Sequence, residues 1–149
     1  LLNKGVKTQS RGSFSVEEYR TIYTALRSYH KQTTNEKSAA TRETLRNYVL
    51  FLANTGVRHG TEALGLRWRN IEWYERDGER YLAINVDGKT NKCTAIARDS
   101  IENSLWRQAQ LNPLITVADF DGLIAAKLDE QVFTTRLSET VTVHSGRKR

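Results

Sequence analysis

The sequence predicts an α+β fold, mostly helical with a small three-stranded antiparallel meander, and three observations predict it. Apolar residues recur at spacings of three and four before residue 56 and again after residue 100, the period of amphipathic helices. Between these stretches lie three short β-type runs, residues 71–74, 81–86 and 93–97. Asp-Gly pairs separate the runs, and Asp-Gly between strand-like segments signals a tight hairpin. Helices, a meander, then helices again is the layout of an α+β chain rather than of a parallel α/β sheet.

Each element follows in chain order. Residues 1–12 are polar and basic without hydrophobic period and read as a linker or arm. Ser15-Val16-Glu17-Glu18 has the form of a capping box, in which the Ser hydroxyl and the Glu carboxylate each satisfy an orphan backbone N–H. Val16, Tyr19, Ile22, Tyr23, Leu26 and Tyr29 then form one apolar helical stripe. Residues 31–40 are polar and read as a loop. A second helix follows, with Leu45, Tyr48, Val49 and Leu52 as its buried face and Gly56 as its stop, the usual position of a C-terminal glycine. A short third helix is expected over about residues 59–67. After the meander, Asp99 or Ser100 caps a helix running to about Leu111, with Ile101, Leu105 and Trp106 facing inward, and Pro113 breaks it. Asp119 to Leu128 reads as a further helix and Val132-Phe133-Thr134 as a short strand. Residues 135–149 carry no core pattern. The expected organisation is therefore an arm (1–12), a folded unit (13–134) and a basic tail (135–149).

Composition narrows the class. With 149 residues, 38% apolar content, three Trp, six Tyr and four Phe, the chain can bury a core and is neither a disordered acidic tail nor a collagen-like repeat. The single cysteine, Cys93, cannot form an internal disulfide, and a reducing compartment is the simpler expectation. No apolar run approaches the ~20 residues of a membrane helix, and Leu1-Leu2-Asn3-Lys4 lacks a signal-peptide layout. The sequence contains no Met, even at position 1, so it reads as a piece of a longer chain.

The charge is unevenly spread. Residues 1–70 hold 12 basic and 5 acidic side chains, whereas residues 71–149 hold 11 and 12. The first half thus carries +7 and the second −1 of the formal +6, and a positive half suits a polyanionic partner whose phosphates Lys and Arg neutralise. An ordinary basic soluble protein is the plainer alternative.

Asn54 to Trp68 (Asn-Thr-Gly-Val-Arg-His-Gly-Thr-Glu-Ala-Leu-Gly-Leu-Arg-Trp) is the informative stretch. It sets Arg58 just after a helix-ending glycine, at the mouth of the next helix. Free N–H groups there attract anions, and a guanidinium fork can hold two phosphate oxygens at once. On spacing alone, an intrahelical ion pair between Arg58 and Glu62 is the competing explanation.

Thr-Gly-x-Arg, then Glu, then Leu-x-Trp before a meander resembles the first catalytic box of the tyrosine recombinases, the phage integrase family. The Ser-x-x-Glu helix, the Tyr48-Val49-Leu50-Phe51-Leu52 helix, and the turn Asp87-Gly88-Lys89-Thr90 resemble that family too, so the likeness runs from about residue 13 to about 134. The resemblance implies the catalytic-domain fold of those enzymes and site-specific DNA recombination, integration or excision, through a 3′-phosphotyrosyl intermediate. A Tyr attacks a DNA phosphate, two Arg and a His or Trp stabilise the transition state, and a hairpin Lys protonates the leaving 5′-oxygen. No metal or other cofactor is implied. The implied partner is double-stranded DNA, with a homo-oligomer, a tetrameric synapse, assembled on it and no membrane. The implied setting is cytoplasmic, bacterial or phage-encoded, and nucleoid-associated.

Carried over residue by residue, Arg58 is the phosphate-oxygen clamp, Lys89 the general acid, and Glu62 the supporting carboxylate that holds the Arg. Lys89 as an ordinary solvated turn residue is the plainer alternative, and Lys92 is the other acid to consider, or else a DNA contact. The family more often spaces its carboxylate three residues after the Arg, and here the spacing is four; one residue turns a helical side chain by about 100°. Leu66 and Trp68 are expected in the core. Gly88-Lys89-Thr90 is not a P-loop, because that motif needs a glycine where Ala83 stands and a helix where a strand follows.

The family's second box, His-x-x-Arg, has a literal match in His144-Ser145-Gly146-Arg147, only 11 residues after Phe133 and in a non-helical context. A solvated basic tail is the favoured reading of that segment. The last tyrosine is Tyr81, on an expected strand, so no downstream Tyr can serve as nucleophile. The expectation is an incomplete catalytic domain that does not cut DNA alone, with a non-catalytic DNA-binding module (an integrase remnant) as the first alternative and a protein-binding helical adaptor as the second.

Overall fold

The computed structural model describes residues 12–88, 91–97 and 101–134. Helix α1 spans Val16–Tyr29, α2 Glu36–Thr55, α3 Thr61–Leu64, α4 Ile101–Gln110 and α5 Phe120–Ala125. Strands β1 (Ile71–Arg76), β2 (Glu79–Asp87) and β3 (Lys92–Ile96) form an antiparallel sheet in the order β1-β2-β3. The fold is mixed α+β, and the expected meander is present in place.

Local chemistry explains the element ends. The Ser15 hydroxyl accepts from the Glu18 N–H at 3.2 Å while the Glu18 carboxylate accepts from the Ser15 N–H at 2.8 Å, a complete capping box. Gly56 closes α2 in the left-handed conformation at φ 71°, its N–H reaching the Leu52 carbonyl. Between β1 and β2, Asp77 and Gly78 sit at φ 54° and 80°, the two-residue turn whose twist matches the flanking strands.

The core joins α2, the sheet, α4 and α5. Trp68, Phe51, Ile71, Ile84, Leu105 and Leu123 are its largest fully buried apolar side chains, each contributing about 1.5–3 kcal/mol by leaving water. Helix α5 is tied to the sheet by the Trp73 indole N–H, which donates to Asp121 at 2.9 Å. The Arg80 guanidinium lies 3.8 Å from the Trp73 ring centroid on the same spot, a cation–π contact.

Several expectations are corrected. Residues 31–40 are a loop only over 33–35: Asn35 caps α2 by accepting from the Ser38 N–H at 3.0 Å, so the helix begins at Glu36. The buried face of α2 is Ala40, Asn47 and Phe51; Tyr48 and Leu52 are half-buried against the core, while Leu45 is 44% exposed. The rotation follows from Asn47, which is buried because Gln108 of α4 hydrogen-bonds it at 3.0 Å. Val16 is exposed and α1 buries no residue fully. The third helix is one turn long, because Gly60, at φ 100°, precedes it and Gly65 ends it. The fifth begins at Phe120 with Asp119 as its cap and ends at Ala125.

Residues 132–134 form no strand. The chain there makes an isolated bridge between Gln131 and Arg67, with Val132 N–H to Leu66 O and Trp68 N–H to Glu130 O, both at 3.0 Å. Asp99 and Ser100, expected to cap α4, lie outside the described residues, as do 1–11 and 135–149.

Candidate functional site

Residues 57–60 link the end of α2 to α3, and three side chains hold this loop. Glu62, on α3, accepts from the Arg58 backbone N–H at 3.3 Å. Tyr48, on α2, places its hydroxyl 2.7 Å from His59 Nδ1 and accepts from the Gly60 N–H at 3.5 Å. Val57 is buried in the core and anchors the start of the loop. Tyr48 is itself braced by Phe133, whose ring stands edge-on at 5.0 Å. Residues 128–132, pairing with 66–69, bring Phe133 back to this place.

The loop also meets the β2–β3 hairpin. Gly88 donates its N–H to the Asn91 carbonyl at 3.0 Å, closing a four-residue connection above the Asp87–Lys92 pair. A Cβ at position 88 would lie 2.6 Å from that carbonyl oxygen and 3.2 Å from Glu62 Oε1. Gly88 is therefore required by close approach, and the Glu62 carboxylate stands between the Arg58 loop and the hairpin.

The structure brings Arg58, Glu62 and Gly88 together. Arg58 is exposed, and among the described residues its guanidinium makes no hydrogen bond or ion pair. The intrahelical ion pair with Glu62 does not form, since Arg58 precedes α3 and the carboxylate engages its backbone instead. The contact between Glu62 and Arg58 thus runs through the main chain. With one turn only, α3 has little aligned dipole to offer an anion. Lys89 lies outside the described residues, as do His144 and Arg147. Lys92 is exposed, its ammonium 3.9 Å from Asp87 in a solvated ion pair, a contact of small energy. Leu66 and Trp68 are buried in the core as expected.

Among the described residues no group of three or more His, Cys, Asp or Glu side chains is placed to hold a metal ion. No helix among them is long and apolar enough to cross a membrane.

No family model, curated protein or solved structure matches this chain.

Tyr48 and His59 are the site residues that sequence reasoning passed over. The apolar period puts Tyr48 on the core face of α2, and its hydroxyl departs from that face by reaching His59 and Gly60. The 11-residue separation of the pair is invisible to helical periodicity, because the chain reverses at Gly56 between them. Only the polar tip on an otherwise apolar stripe hinted at a partner.

Proposed function

We propose that this chain is an incomplete tyrosine-recombinase catalytic domain, serving site-specific DNA breakage and rejoining through a phosphotyrosine intermediate in the intact parent. The observation that carries the reading is the Glu62 contact. One carboxylate hydrogen-bonds the Arg58 main chain and lies close to Gly88 of the hairpin, while the Arg58 guanidinium stays exposed and unpaired among the described residues.

In this mechanism Arg58 offers two donors to the non-bridging oxygens of the attacked phosphate, stabilising the charge that builds in the transition state. Glu62 acts as a positioning residue, holding the Arg58 main chain. Lys89 gives a proton to the departing 5′-oxygen. The nucleophilic Tyr and second Arg belong to the parent. A homo-oligomer on duplex DNA follows from the same reading.

The test uses the parent chain read through its downstream frame, with a nicked duplex that traps the covalent intermediate. Arg58→Ala should abolish cleavage and retain much of the DNA binding. Lys89→Ala should slow cleavage, and a 5′-phosphorothiolate, a better leaving group, should restore it. A parent with neither His-x-x-Arg nor a downstream Tyr would defeat the enzyme reading.

A non-catalytic DNA-binding module is the second reading. It is favoured by the positions of the six tyrosines, all at residue 81 or earlier. The one beside the Arg58 loop, Tyr48, has its hydroxyl occupied by His59 and Gly60.

A further inference from the structure

A second cationic locus lies away from the Arg58 loop, where α1, α2 and α4 meet. Arg27 of α1, Arg46 of α2 and Arg107 of α4 gather around Tyr23 and Glu43. Glu43 is the carboxylate among these groups, and it is already shared, 3.3 Å from His30 Nδ1 and 3.8 Å from Arg46. The Nε atoms of Arg46 and Arg107 are both shut off from solvent and without a hydrogen-bond partner among the described residues. Burial works against the charged form of Arg107, and the like charge of Arg46 adds to it.

Beside this cluster is a cleft of about 290 Å³. Arg107 and Tyr23 line it together with Tyr19, Asn54 and Asn103, and Leu50 and Ile101 supply apolar wall. Two phenol rings and aliphatic wall suit a flat body, and Arg107 with the two amides suits an anionic group. The volume sits at the small end of the range for ligand sites. A duplex is far too wide to enter it.

We propose that the α1/α2/α4 cleft is a binding site for a small organic phosphate with a flat body, of about the size of a nucleoside monophosphate, its phosphate held by Arg107. The proposal rests on this cleft alone and is independent of the recombinase reading.

Titration of the 149-residue chain with adenosine monophosphate, inorganic phosphate and adenosine, read by calorimetry and amide NMR, tests it. The expected result is saturable binding of the monophosphate with shifts confined to α1, α2 and α4, and weaker competition by phosphate. Arg107→Gln should lose tenfold or more in affinity, and Asn103→Ala, on an exposed position that leaves the fold intact, severalfold. The proposal is overturned by no saturable binding at millimolar monophosphate, by adenosine binding as tightly, or by equal affinity in both the Arg107 and Asn103 variants. It is likewise overturned if Arg107→Gln abolishes duplex DNA binding, which would make the cluster part of a nucleic-acid surface.

Discussion

The sheet side and the helical side of this molecule are built on different principles. Around the meander the interior is apolar: Trp68, Ile71, Ile84 and Leu123 are all fully buried, and the Arg58 loop and the hairpin stand on that base. Between α2 and α4 the interior also holds a polar cluster. Asn47, Ser104 and Gln108 are buried there and satisfy one another, with Thr44 completing the chain. Helix α1 rests on this side without burying any residue fully. A close-packed apolar interior holds geometry rigidly, as the proposed phosphate clamp requires. A polar, thinly covered interface leaves room for a cleft.

The contrast can be broken at its strongest point first. Trp68→Ala should cost about 3–5 kcal/mol, seen as a large loss of the urea midpoint. Asn47→Ala should cost about 1–3 kcal/mol, because Gln108 is left buried without its partner. A paired replacement of Asn47 and Gln108 by Leu should recover much of that loss in the same urea titration.

Ser15→Ala should cost about 1 kcal/mol, and the effect should stay local. Amide exchange should quicken in α1 while the sheet amides keep their protection, since α1 is the least buried of the long helices. If the sheet loosens as well, the two sides are one cooperative unit.

The smallest effect concerns Glu72 on β1. The Asn85 amide donates to it at 3.0 Å and Lys127 at 3.4 Å, and these bonds, the Asn85 one foremost, lower its pKa below the ordinary 4.5. A lowered folded pKa adds stability that is present above the unfolded value and is lost as pH falls through the folded one. Glu72→Gln should therefore be slightly less stable than the parent at neutral pH, with the gap closing below about pH 4. Because Glu72 is exposed, a gap of more than a few tenths of a kcal/mol would be unexpected.

Much of the fold was legible because it is locally encoded. The Ser15 box, the Gly56 stop, the Asp77-Gly78 turn and the three strands each depend on a few adjacent residues. What was not legible depends on distant ones. The buried face of α2 is set by Gln108, 61 residues beyond Asn47, and no apolar pattern announces a buried Asn. Residues 132–134 have strand-like composition, yet their neighbour is the irregular 66–69 segment, which offers a bridge and no ladder. In the site, Arg58 and Gly88 were readable from their motif. The Glu62 contact to the Arg58 main chain was not, because four-residue spacing suggests a side-chain pair whereas the helix starts only at Thr61. The Arg27, Arg46 and Arg107 cluster was hidden for a similar reason: its members come from three helices.

The salt dependence of duplex DNA binding tests the central claim most directly, measured for the native chain, Arg58→Ala and Arg107→Gln. For about four phosphate contacts, affinity should fall on the order of a hundredfold between 50 and 200 mM salt. Arg58→Ala should reduce the log–log slope by about one, and Arg107→Gln should leave it unchanged. Binding that hardly responds to salt, or a slope identical in native chain and Arg58→Ala, would contradict the assignment of the Arg58 loop to DNA phosphate.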